Sequence, residues 1–227
     1  MSQVFRFRGK SISANDDPAG GLEKHRSRDL PVVQKTSGNP EGKGLNGFLL
    51  DWNRSEPRGL VAKPQRQILA EFFTSLLILS AKFKYKPAAG VTNYLYCIKG
   101  EWTMSLIAPD EWSDERRAGF AGTCVLQRDM TWTIEPSENL GKDNAVTEAI
   151  ARFYDAFTET LNTDLTLEEI LPFYVAKMPY YQRLYASALS RSIRGAVILG
   201  DQTSIKCKDW QMLLPRLERV LLSHKGQ

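Results

Sequence analysis

Histidine is nearly missing from this chain. Among 227 residues the only two are His25 and His224, so none lies between positions 26 and 223. A Ser–His–Asp triad, a Cys–His pair and most histidine metal sites need an imidazole within reach of a second functional group, and two residues near opposite ends supply that poorly. Cysteine is equally thin. Cys97, Cys124 and Cys207 are widely spaced, odd in number and form no CxxC pair, which speaks against a zinc ribbon or a disulfide framework. Residues 1–10 are polar and basic, without the apolar stretch of a secretory signal. The expected setting is reducing and cytoplasmic.

Long apolar runs are also lacking. The longest, residues 68–81, has Glu71 near its start and Lys82, Lys84 and Lys86 after it. It falls short of the roughly 20 residues that cross a bilayer. A buried core helix is the first reading and a membrane-surface helix the second. No Walker A sequence, internal repeat or heptad run appears. Residues 42–47 read Gly-Lys-Gly-Leu-Asn-Gly and match GxGxxG, but a polar, proline-containing stretch precedes them. The dinucleotide fingerprint needs a strand there, so a flexible glycine-rich link is expected. A net charge of +4 is too mild to argue for a polyanion partner by itself.

What is present reads as α+β. Residues 1–59 are rich in glycine, proline and mixed charge, the composition of a mostly disordered arm. Its apolar patch, Phe48, Leu49, Leu50 and Trp52, is expected to dock on the folded body. Pro64 can open a helix, where its missing N–H costs nothing. Ile68, Leu69, Phe72, Phe73, Leu76 and Leu79 then recur at helical spacing. That helix should end near residues 84–86, because Pro87 disfavours helical geometry just before it.

From Val91 the period becomes two. Tyr94, Tyr96 and Ile98 alternate with Leu95 and Cys97, Lys99-Gly100 makes a tight turn, and Trp102, Met104 and Leu106 return. Residues 109–117 form a charged loop, and residues 120–127 and 130–134 add two short strands. Residues 60–136 are therefore one helix plus an antiparallel β-module of three to four strands, which a packed helix can stabilise.

Residues 137–227 read as a helical subdomain of three to four helices. Val146, Ile150, Phe153, Phe157 and Leu161 make one stripe, with Asp143 or Asn144 as cap. Thr166 and Glu169 form a capping box, Pro179 precedes a helix ending near Gly200, and Asp209 caps a last helix kinked at Pro215. Charge is uneven: residues 129–169 hold ten acidic and two basic side chains, residues 177–227 nine basic and three acidic. These are expected to be solvated faces that attract each other, or else a basic surface for nucleic acid or an acidic protein.

One order of residues is specific. Lys86-Pro87, Gly90, Tyr94-Leu95-Tyr96, Gly100, Ser105-Leu106-Ile107, Pro109, Glu111-Trp112, Phe120, Gly122, Leu126 and Asp129-Met130-Thr131-Trp132-Thr133 follow one another. Over roughly residues 64–134 this resembles a domain-of-unknown-function family found in bacteria and in an uncharacterised human open-reading-frame product. The family pattern runs K-P-G, Y-x-L-Y, S-x-I-x-P-E-E-W, F-x-G and L-x-x-D-M-S-W-T. Ala88 and Ala89 are inserted, and Asp110 and Thr131 stand where the family has glutamate and serine. The resemblance does not reach residues 143–227, and it implies an architecture without an activity.

Physical reasons for these residue types exist. Gly100 suits a hairpin turn at positive φ, and Asp129 suits an Asx turn into the last strand. Three of five tryptophans, Trp102, Trp112 and Trp132, lie in the module. They are core, or with Tyr94 and Tyr96 an aromatic groove for a peptide, base or methylated cation. Asp110, Glu111, Asp114 and Glu115 could bind a divalent cation, but Arg116 and Arg117 sit beside them.

The leading expectation is a non-enzymatic interaction or assembly module, binding a protein partner or a second copy, without cofactor or metal. Nucleic-acid binding through Arg183, Arg191, Arg194, Lys206 and Lys208 is the alternative. A carboxylate-based enzyme site within residues 110–129 comes third.

Overall fold

The computed structural model describes residues 45–140, 144–172 and 178–221; of Leu45, Asn46 and Glu218 it describes the backbone. Residues 1–44 of the expected arm, both histidines and the candidate cap Asp143 lie outside these residues. Within the stretch read as arm, Leu45–Arg54 forms helix α1; of the apolar patch expected to dock, Phe48 and Trp52 pack against the core while Leu49 and Leu50 stay exposed. The GxGxxG match ends inside this helix.

The protein is α+β. Helix α2, Gln65–Leu79, is its axis: every residue from Ile68 to Leu79 is buried. A helix apolar on all sides needs cover on all sides. Strands β1 (Thr92–Ile98), β2 (Glu101–Ser105), β3 (Phe120–Leu126) and β4 (Trp132–Pro136) form one antiparallel sheet in the order β2-β1-β3-β4. Leu95, Cys97, Met104, Cys124, Leu126, Trp132 and Ile134 are buried within the core that includes α2. Ile98 pairs with Glu101, so Lys99-Gly100 is a two-residue turn. Their φ values, 52° and 77°, are those of the turn that matches strand twist.

α2 stops earlier than proline placement predicts. The Ser80 hydroxyl donates to the Leu77 carbonyl at 2.6 Å. The main chain then joins the sheet edge, Lys82 N–H donating to Trp102 O at 2.9 Å and Met104 N–H to Lys82 O at 3.0 Å. Edge pairing wins over a further helical turn. Between β2 and β3, the expected charged loop contains a 3-10 turn, Pro109–Glu111, and a short helix α3, Asp114–Ala118.

Helix α4, Ala145–Leu161, is capped by Asn144, whose Oδ1 accepts the Val146 and Thr147 amides at 3.0 Å each. Phe157 meets Phe72 and Phe73 edge to face. The Thr166–Glu169 capping box opens α5, Leu167–Ile170, and α6, Tyr180–Leu199, ends at Gly200. The last expected helix is two short ones, α7 (Cys207–Gln211) and α8 (Leu217–Val220), and the residue before α7 is Lys206 rather than Asp209. The start is set by Cys207 and Lys208, whose amides donate to Leu165 O and Thr163 O. Pro215 then does more than kink: its carbonyl accepts from the Tyr154 hydroxyl, and no helix runs through it.

Candidate functional site

Four separate stretches of chain meet at one end of α2. α1 ends on Arg54, and the connection to α2 carries Arg58 and turns at Gly59, where φ is 72°. Arg66 is in the first turn of α2, Arg128 in the β3–β4 turn, and Arg219 in α8. The Arg58 amide donates to the Arg128 carbonyl at 3.0 Å, tying two walls together. Between them lie two adjoining open concavities of about 630 and 1000 Å³ that share Arg58, Gly59, Ala89 and Arg128. Five arginines and Lys63 line this groove against two carboxylates, Glu56 and Asp129. All five guanidinium groups belong to exposed residues. None makes a side-chain hydrogen bond or ion pair with another described residue.

The lysine is different. Lys63 Nζ donates to both carboxylate oxygens of Glu71, at 2.7 and 2.8 Å, and to Asp129 Oδ2 at 2.8 Å. The side chains are 8 % exposed for Lys63, 1 % for Glu71 and 15 % for Asp129. Gln67 adds a 3.0 Å bond to Glu71, and Asp129 Oδ1 accepts the Thr131 amide and hydroxyl in the expected Asx turn. One cation thus serves two carboxylates. Burial works against the Asp129 carboxylate, but its bonds from Lys63 and Thr131 outweigh this and lower its pKa. Glu71 is more deeply enclosed; burial outweighs Lys63 there and raises its pKa. Burial also opposes the Lys63 ammonium, and the two acids more than compensate, raising its pKa. With one cation against two carboxylates, the cluster as a whole carries the surplus negative charge.

The residues expected from sequence to bind a ligand lie elsewhere. Trp132 is wholly buried, Trp102 half-buried against the core, and Tyr96 buried, with its hydroxyl on Ile107 O and its pKa pushed up by burial to about 12. Tyr94 and Tyr96 stack loosely with Phe120, and Trp112 meets Tyr96. Arg116 already covers the Trp112 ring at 4.1 Å, occupying the face a ligand cation would take.

The basic residues of α6 work internally. Arg191 stacks on Trp52 at 4.5 Å and donates to Trp52 O and Ser55 O at 2.9 Å each, Arg183 lies 5.8 Å from the Phe48 ring, and Arg194 pairs with Glu168 at 2.7 Å. Lys208 pairs with Asp164. Asp110, Glu111, Asp114 and Glu115 precede β3 and Asp129 follows it, opposite ends of a strand about 20 Å long. They do not converge. Among the described residues no group of three or more His, Cys, Asp or Glu is placed to hold a metal ion, and no helix is long and apolar enough to cross a membrane.

Sequence patterning missed both the groove and its buried cluster. Glu71 inside an apolar run was the available signal, since a buried carboxylate needs a partner. The partners, though, are eight residues before it and past three strands of the sheet, in the β3–β4 turn.

The groove extends past both ends of a family match. Residues 60–156 match the family Protein of unknown function (DUF2452). No curated protein and no solved structure matches the chain. The DUF2452 region contains α2, the whole sheet and most of α4, extending further at both ends than the expected residues 64–134. It includes Lys63, Arg66, Glu71, Arg128 and Asp129. Arg54, Arg58 and Arg219 lie outside it, so the groove is completed by flanking chain on both sides of the DUF2452 region.

Proposed function

We propose that the protein is a non-enzymatic interaction module that holds an anionic partner in the arginine-lined groove. The observation that carries this reading is the convergence of Arg54, Arg58, Arg66, Arg128 and Arg219 on one concave surface, each exposed and without a described partner. Like charges in water repel by only about 1 kcal/mol at 4 Å, so such a cluster persists without internal counterions. It is also a ready receptor, since arginine binds carboxylate and phosphate in a bidentate fork. The basic side chains of α6 and α7 favour this surface less, because Arg191, Arg194 and Lys208 are already engaged within the fold. A cytoplasmic setting suits three buried cysteines carried as free thiols.

Retention on heparin tests the reading. The triple variant Arg58→Gln, Arg66→Gln, Arg128→Gln should elute at clearly lower salt than the wild type, because fewer released counterions weaken polyanion binding. Lys206→Gln with Lys208→Gln, at the start of α7 and not among the groove's described lining residues, should leave elution unchanged. Equal elution of the triple variant and the wild type refutes the groove as the binding surface.

A further inference from the structure

Resting on that reading, we infer that the occupant of the groove is an extended acidic segment of a partner protein, with apolar side chains between its carboxylates. Three features of the lining specify this chemistry. The first is the floor. Val61, 57 % exposed, lines the concavities together with Met130, Pro215 and buried Ala70 and Leu126. A purely phosphate-directed surface has no use for apolar ground between its cations, whereas a peptide that alternates acidic and apolar residues matches both. Interfaces between proteins combine arginine with methionine and aliphatic contact in this way.

The second feature is what the described lining does not contain: among the described residues no Phe, Tyr or Trp contributes to either concavity. Single-stranded nucleic acid is held by stacking its bases on aromatic rings beside a basic track. Here the track exists without the platform. The third is the choice and freedom of the cations. Among the described lining residues Lys63 is consumed by Glu71 and Asp129, so the cations left facing the groove there are guanidinium groups. Their planar forks fit the carboxylates of Asp and Glu side chains in a way an ammonium does not. The groove is also open along its length rather than an enclosed cavity that would surround most of a small molecule. A chain laid across it can reach Arg54 and Arg58 on one concavity and Arg66 and Arg219 on the other.

Fluorescence anisotropy with the full chain tests the inference. The probes are a short labelled peptide alternating Glu and Leu, its Gln-for-Glu counterpart, polyglutamate, and a single-stranded oligonucleotide of equal charge. The Glu-Leu peptide should bind tightest and the Gln-Leu peptide about tenfold weaker or less, the scale of losing one or more charge-assisted pairs. Arg58→Gln with Arg128→Gln should weaken the Glu-Leu peptide by about tenfold. Val61→Ser should weaken the same peptide while leaving polyglutamate unchanged, which separates floor from rim. Circular dichroism confirms that these surface variants are folded.

An oligonucleotide that binds as tightly as the peptide overturns the acidic-peptide inference and leaves the groove an anion surface. The same holds if no peptide binds while the triple variant still loses heparin retention. Peptide binding that survives Arg58→Gln with Arg128→Gln overturns both readings.

Discussion

At the scale of single residues, the cluster of Lys63, Glu71 and Asp129 carries the sharpest energetic consequence. Removing one member of a buried ion pair strands the other in a medium that solvates it badly, at about 3–5 kcal/mol. Lys63→Met strands two carboxylates, Glu71 at 1 % exposure and Asp129 at 15 %. It should lower the urea-derived stability at neutral pH by about 3 kcal/mol or more. Glu71→Gln has the opposite logic. It removes the surplus charge and keeps an oxygen for Lys63, so its cost should stay within about 1 kcal/mol, the worth of an ordinary hydrogen bond.

The pH dependence follows from the directions of the shifts. Glu71 has a folded pKa above its ordinary 4.5. The folded state therefore holds the extra proton between those values, and stability rises as pH falls through this window. Asp129 is lowered below its ordinary 3.8; its contribution is present above that value and lost as pH falls through the folded pKa. Lys63, raised above 10.5, contributes until pH climbs through its folded value. Urea titrations from neutral to acid pH should thus show a rise in the wild type that Glu71→Gln lacks. A Glu71→Gln variant as unstable as Lys63→Met would rule out a surplus of negative charge in the cluster.

At the scale of elements, α1 is a latch. Polar contacts hold it to the body alongside the Phe48 and Trp52 rings. Asp51, buried, accepts from Lys86 Nζ at 2.9 Å and from the Tyr180 hydroxyl at 2.7 Å, while Arg191 clasps the helix end through Trp52 and Ser55. Asp51→Ala leaves the Tyr180 hydroxyl and the Lys86 ammonium without this acceptor, at a cost of about 1–3 kcal/mol. Because the core around α2 does not depend on it, the loss should be local. Limited proteolysis should cut the variant between α1 and α2, near Gly59, well before the wild type, while the main unfolding transition moves little. Equal protection in both proteins would mean that α1 is held by its rings alone.

Elements differ in how legible they were. β1, β2 and their turn could be read because alternation and Gly100 are local signals, and α2 because its apolar run is long. The end of α2 could not be read, since a hydrogen bond to β2, twenty residues on, decides it. α1 hid in a glycine-rich composition because Phe48 and Trp52 gain their value only against Arg183 and Arg191, more than a hundred positions later. Short, tertiary-held helices such as α7 and α8 owe little to propensity.

At the scale of the whole molecule, the lopsided charge of the sequence resolves into two outcomes. The acidic middle and basic end do face each other, through Arg194–Glu168 and Lys208–Asp164. Both pairs are half-exposed and worth well under about 1 kcal/mol each. Five arginines without a described partner are instead gathered in the groove from positions spread between 54 and 219, which no local pattern announces. A set of same-sign charges held together by folding makes folding easier when screened. Raising ionic strength, so that the Debye length falls from about 30 to about 10 Å, should therefore raise the melting temperature of the wild type. The triple variant Arg58→Gln, Arg66→Gln, Arg128→Gln should be at least as stable as the wild type at low salt and should respond less to added salt. The result against this is a variant that melts lower at low salt, because the arginines would then be holding structural partners and the groove would already be filled from within.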